Sequence, residues 1–102
     1  MPPNNLPGLS KKEFLIMNLL VGARDSMYGL ELVEKSDGAL KRGTIYTTLN
    51  RLEEKGYISS KREEEQPGLQ PRRLYKATGQ GVKVFRALEA AGGKAWLKEV
   101  FA

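Results

Sequence analysis

The chain has 102 residues, of which 40% are hydrophobic, and a formal net charge of +5; that suits one small domain with a packed core and argues against wholesale disorder. Cysteine and histidine are both missing, which removes disulfides, the best zinc ligands, and the commonest nucleophile and general base. No run approaches the roughly 18 apolar residues of a membrane span, and Met1-Pro2-Pro3-Asn4-Asn5 lacks the basic start and apolar stretch of a secretion signal, so the expectation is a cytoplasmic protein, off the membrane, without metal or cofactor, and not an enzyme.

Residues 1–8 are rich in Pro and Asn and read as a loose arm. Ser10 stands three residues before Glu13, the spacing of a capping box in which each side chain satisfies an orphan backbone donor. A first helix is predicted from there to Val21, closed by Gly22. Its Phe14, Leu15, Ile16, Met17, Leu19, Leu20 and Val21 cover nearly the whole circumference. Such a helix needs burial on more than one face, and a second subunit is expected to cover part of it.

Asp25-Ser26 can cap a second helix over Met27 to Lys35, with Tyr28, Leu32 and Val33 as its apolar stripe. Ser36-Asp37-Gly38 is a turn. A third helix is predicted from Arg42 to Lys55, stopped by Gly56, with Ile45, Leu49 and Leu52 on its core side. The period then changes. Tyr57 to Glu65 and Arg72 to Thr78 read as two strands joined by a turn over Gln66 to Pro71. Thr78 can cap a last helix with Val82, Phe85, Leu88, Ala95 and Trp96 on one stripe. Gly92-Gly93 interrupts it with poor helix formers, so a kink or break is expected there.

Three helices, a two-stranded wing and a terminal helix make a mainly α fold with a small β-hairpin, the order of a winged helix-turn-helix. The second helix of such a motif lies in the major groove of DNA. On the third helix, Thr44, Thr47, Thr48, Arg51 and Lys55 fall on the stripe opposite the core residues. Three threonines are weak helix formers, so a role other than helix stability is expected for them. Their hydroxyls suit phosphates or base edges, and their methyls suit thymine. Tyr46 reads as core or edge packing.

Charge agrees with that placement. Lys41 to Arg62 holds six basic and two acidic residues, as a polyanion-binding surface requires. Lys61 and Arg62 on one strand of the hairpin face Arg72, Arg73 and Lys76 on the other, suited to phosphate and minor-groove contacts. Glu63-Glu64-Glu65 opposes this, so it is expected to pair with the arginines or to face away.

The stretch from Leu40 to Ile58, LKRGTIYTTLNRLEEKGYI, resembles the central signature of the PadR family of regulators. Pro71 to Gly81, PRRLYKATGQG, resembles the family's wing strand and the start of its terminal helix, and Met27 to Leu32 resembles the start of its second helix. The likeness spans about Leu9 to Leu88, with Ala77 where the family commonly has leucine.

The resemblance implies a DNA-binding domain over residues 9–78 and a dimerisation helix over 79–102, as in short-tailed members. It implies a homodimer on a palindromic operator in double-stranded DNA, usually a repressor, and in ligand-responsive members release by a small aromatic effector. Phe14, Phe85, Leu88 and Trp96 are then expected at the dimer contact or an aromatic pocket between subunits. The rival reading is a winged-helix module that binds protein and never touches DNA.

Overall fold

The computed structural model describes residues 8–23, 25–63, 68 and 72–101. Most of the expected arm and of the turn over residues 66–71 lies outside the described residues. Among the described residues no helix is long and apolar enough to cross a membrane.

Helix α1 spans Lys11–Ala23. The capping box forms: the Glu13 N–H donates to Ser10 Oγ at 3.2 Å and the Ser10 N–H to Glu13 Oε1 at 2.8 Å. Phe14, Leu15, Ile16, Met17 and Leu20 are buried, so α1 is the axis about which the other elements pack. It runs through Gly22 to Ala23, two residues past the expected end.

The expected second helix divides. Met27–Tyr28 is a short strand, β1, and helix α2 spans only Gly29–Lys35. Met27 pairs with Tyr75 and Tyr28 with Leu74, a distant partnership that overrides local helix preference. The Tyr28 N–H, not Asp25-Ser26, is tied at the helix start, donating to Glu31 Oε1 at 2.9 Å. The α2–α3 turn is fixed by buried Ser36, whose Oγ donates to the Val33 carbonyl at 2.7 Å and accepts the Leu40 N–H at 2.9 Å.

Helix α3 spans Ile45–Glu54, three residues later than the Arg42 start expected. Lys41 to Thr44 instead close a turn, in which the N–H groups of Thr44 and Ile45 both donate to the Lys41 carbonyl at 3.2 and 3.0 Å. The hairpin follows as β2, Ile58–Arg62, and β3, Arg73–Ala77. With β1 they make an antiparallel three-stranded sheet in the order β1-β3-β2.

Helix α4, Gly79–Leu88, starts at Thr78, whose Oγ1 accepts the Gly81 N–H at 3.0 Å and donates to the Gly56 carbonyl at 2.7 Å. That one hydroxyl locks the end of the α3 region to the start of α4. A wide turn over Glu89–Gly93 then leads into α5, Lys94–Phe101.

The break at Gly92-Gly93 is real and has a large consequence. Gly92 sits at φ 121°, backbone that a side chain would strain. Past it the chain turns α5 back onto α1. A Cβ on Gly93 would lie 2.7 Å from the Phe14 ring, so only glycine allows so close an approach. Trp96 is thereby buried at 3% exposure, edge-on to Phe14 at 5.7 Å, while Phe14 stacks on Phe85 at 4.9 Å.

Phe14, Phe85, Leu88 and Trp96, the residues expected at a dimer contact or an aromatic pocket, are buried together in the core of the single chain. Much of the apolar circumference of α1 is covered within the chain, chiefly by α4, β3, α3 and α2, while Leu19 and Val21 stay half-buried. The spacing of Phe85 and Trp96 aligns them only along a continuous helix, and Gly92 ends it. Aromatic rings in these geometries add about 0.5–1.5 kcal/mol per pair beyond their area burial.

Candidate nucleic-acid interface

Ile45, Leu49 and Leu52 are buried on α3, so the opposite face is set outward by the helix period. Thr47, Asn50, Arg51 and Glu54 are exposed on that face, forming a polar strip with donors, acceptors and one charge of each sign. Asn50 is absent from the stripe read in the sequence. It lies three residues after Thr47, and its amide can donate to and accept from an adenine edge at once.

The other threonines take different places. Thr44 is the exposed N-cap residue of α3, outside its regular turns. Thr48 is half-buried, and its hydroxyl donates to the Thr44 carbonyl at 3.2 Å. Tyr46 packs its ring on Gly29, where a Cβ would come within 2.8 Å, yet stays 47% exposed. Edge packing is thus the structural role of Tyr46.

Lys55 departs from the expected stripe. Helix α3 ends at Glu54, and the Lys55 ammonium turns to Glu13, 2.9 and 2.8 Å from the two carboxylate oxygens, and to the Gly8 carbonyl at 3.2 Å. The Glu13 side chain is 4% exposed. A carboxylate so placed requires a partner, and Lys55 is that partner. Burial alone would raise the Glu13 pKa, but the Lys55 hydrogen bond and charge and the Ser10 hydrogen bonds outweigh it and hold it below 4.5.

On the wing, Lys61, Arg62, Arg72 and Arg73 are all exposed. Register places Arg62 directly opposite Arg73 and Lys61 opposite Leu74. Two like charges across a ladder cost stability, a cost that a bound anion relieves. The Arg73 guanidinium donates to Ser60 Oγ at 3.2 Å, and Ser60 Oγ donates to Glu53 Oε1 at 2.6 Å. Arg73 is thus tied through Ser60 to the last turn of α3. Since side chains alternate along a strand, Arg62 and Arg73 share one face of the ribbon, and Lys61 and Arg72 the other.

At the turn end of the wing strands, the Arg72 guanidinium lies 4.4 Å over the Tyr28 ring, and its Nη2 is 3.7 Å from Glu63 Oε2. The Tyr28 phenol donates to the other oxygen, Glu63 Oε1. That acceptance, more than burial, raises the Tyr28 pKa above its ordinary value. Of the acidic run, Glu63 therefore pairs with an arginine as expected. Glu64 and Glu65 lie outside the described residues. Tyr28, Arg72 and Arg73 also line a cleft of ≈ 150 Å³ with Tyr46, Glu31 and Glu34, which lies between the start of β3, α2 and the first turn of α3.

The PadR-like family of transcriptional regulators has a model that matches residues 16–87. The chain is similar to the solved structure of a PadR-like transcription factor from Bacteroides fragilis, at 32% identity over 78% of each chain and a TM-score of 0.69. It is also similar to a PadR family regulator from Eggerthella lenta, at 30% identity over 79% of this chain and 73% of the other, with a TM-score of 0.66. A third likeness, to a PadR family regulator from Clostridium difficile, has 27% identity, covers 86% and 91% of the two chains, and has a TM-score of 0.67. No curated protein matches the chain.

Proposed function

Because the chain belongs to the PadR-like family of transcriptional regulators, whose members are regulators and not enzymes, we propose that it binds a palindromic operator as a homodimer and represses by occupying the promoter. The observation that carries this reading is the outward strip of Thr47, Asn50 and Arg51 on α3, flanked by the exposed cations Lys61, Arg62, Arg72 and Arg73 on the wing. The strip supplies hydrogen-bonding groups for base edges, and the wing supplies charge for phosphates.

Thr44, at the N-cap, is close enough in sequence to the strip to share a phosphate or base contact, whereas Thr48 and Lys55 serve mainly inside the chain. Each subunit brings three to five basic contacts, so a dimer neutralises on the order of 6–10 phosphates. Recognition helices about 34 Å apart would meet half-sites one turn apart.

With Phe14, Phe85, Leu88 and Trp96 packed on one another inside the chain, the dimer contact uses the outer faces of α4 and α5. A winged-helix module for protein alone would have no use for five exposed cations on the hairpin, Lys76 included.

The test is a salt titration of binding to operator fragments selected from random DNA, with light scattering for the oligomer. Affinity should fall roughly a thousandfold between about 50 and 200 mM salt. A monomer, or binding indifferent to salt, would overturn the proposal.

A further inference from the structure

Glu63 stands within a set of cations meant, on the reading above, for DNA. Its carboxylate is divided between two partners: Oε1 accepts the Tyr28 phenol and Oε2 faces Arg72 Nη2 at 3.7 Å. The two bonds are unequal. The Tyr28 contact is a direct hydrogen bond from a phenol on β1, whereas 3.7 Å exceeds hydrogen-bond range and leaves the arginine a loose ion pair. The Arg72 side chain is 56% exposed and that of Glu63 36%. Meanwhile the guanidinium carbon lies over the Tyr28 ring, 4.4 Å from its centre. It is therefore oriented by a ring and only lightly engaged by a charge.

We propose that Glu63 is a built-in stand-in for a DNA backbone phosphate, which occupies Arg72 in the free protein and yields it when DNA arrives. This rests on the DNA-binding reading and adds a residue that sets its affinity. Two oxygens of a phosphate can accept two parallel N–H groups from a guanidinium, whereas Glu63, with Oε1 engaged by Tyr28, offers Arg72 one loose contact. The exchange leaves Glu63 in place, because Tyr28 retains it, and leaves Arg72 oriented, because the ring still supports it. The other charges on the cleft do not compete equally. Arg73 is turned to Ser60, Glu31 accepts the Tyr28 N–H, and Glu34 is an exposed carboxylate on α2. The device keeps the wing from adhering to any polyanion at full strength.

The test is a double-mutant cycle on the full chain, with binding to a mixed-sequence duplex followed over a salt series. Glu63→Gln retains an oxygen for the Tyr28 phenol and removes the charge. With Arg72 present it should tighten binding roughly two- to fivefold, the range expected for release of one exposed ion pair. In the Arg72→Ala background the same change should have no effect beyond error, while Arg72→Ala alone should lower the salt slope by about one. Equal tightening in both backgrounds would mean simple repulsion between Glu63 and DNA, and weaker binding by Glu63→Gln would mean that Glu63 positions Arg72 for its contact; either overturns the inference while the DNA-binding reading stands. A wild-type chain that binds no duplex at low salt overturns that reading itself, and this one with it.

Discussion

Gly81→Ala gives a test in which local preference and tertiary packing predict opposite signs. Gly81 is the third residue of α4, and in a helix interior alanine is favoured over glycine by about 1 kcal/mol. A Cβ there, however, would lie 1.9 Å from the Tyr57 carbonyl oxygen and 2.8 Å from its carbon. An ordinary carbon–oxygen contact is about 3.3 Å or more, so the backbones must part by roughly 1.4 Å. The carbonyl cannot retreat freely, since it accepts the Thr78 N–H at 3.0 Å while the Tyr57 N–H is bonded to the Leu52 carbonyl at 3.0 Å. Overpacking of this kind costs typically 1–3 kcal/mol, and displacing α4 also endangers its Thr78 cap, worth about 1 kcal/mol. Set against the helix-propensity gain, the net loss is about 1–3 kcal/mol. At roughly 4–8 °C per kcal/mol for a domain of this size, the thermal midpoint followed by far-UV circular dichroism should drop by about 4–24 °C. A midpoint equal to or above that of the wild type would refute the packing argument.

Three further outcomes follow from the structure. The Glu13 carboxyl has a folded pKa below its ordinary 4.5, so its contribution to stability is present above that value and is lost as pH falls through the folded pKa; urea midpoints measured from neutral to acid pH should fall less steeply for Glu13→Gln, and an unchanged acid limb would remove Glu13 as a cause. Trp96, buried within its own chain, should emit at a blue-shifted wavelength that does not change on dilution, and Trp96→Ala should cost about 3–5 kcal/mol; a red shift on dilution would place the indole between chains instead. Thr47→Ala or Asn50→Ala should relax sequence preference in selection from random DNA, whereas Arg73→Ala should weaken all sequences alike and flatten the salt slope by about one; equal changes in preference from both kinds of substitution would undo the division of roles.

What could be read in the sequence was what neighbouring residues decide. The Ser10–Glu13 box, the core side of α3 and the Thr78 cap each involve partners within one or two turns, and each forms. Residues whose fate depends on a distant partner were harder. Met27 and Tyr28 become strand only because Tyr75 and Leu74 lie beside them. Lys55 continues the polar stripe by period, but Glu13, buried and charged, draws it away. Trp96 is eleven residues from Phe85 in a spacing that matters only if the helix continues, and one glycine at φ 121° decides that it does not. Asn50 escaped notice for another reason: the threonines drew attention by being poor helix formers, and asparagine at an exposed position has no such contrast. Within the site, the outward place of Thr47 and Arg51 was legible, and the tie between Tyr28, Glu63 and Arg72 was not, since it joins three strands that the sequence keeps far apart.

The contact between Phe14 and Trp96 also bears on how the chain is made. Synthesis delivers α1 first and α5 last, so the ring that completes the interior arrives about eighty residues after the one it covers. Until then Phe14 and Phe85 can stack but one side of the pair remains open to water. A nascent chain on the ribosome is therefore an unfinished core with an apolar face, the kind of surface that chaperones bind and that favours aggregation. Contacts so distant in sequence also carry the largest loop-closure entropy. A chain truncated before Trp96 would leave Phe14 without the ring that packs edge-on against it.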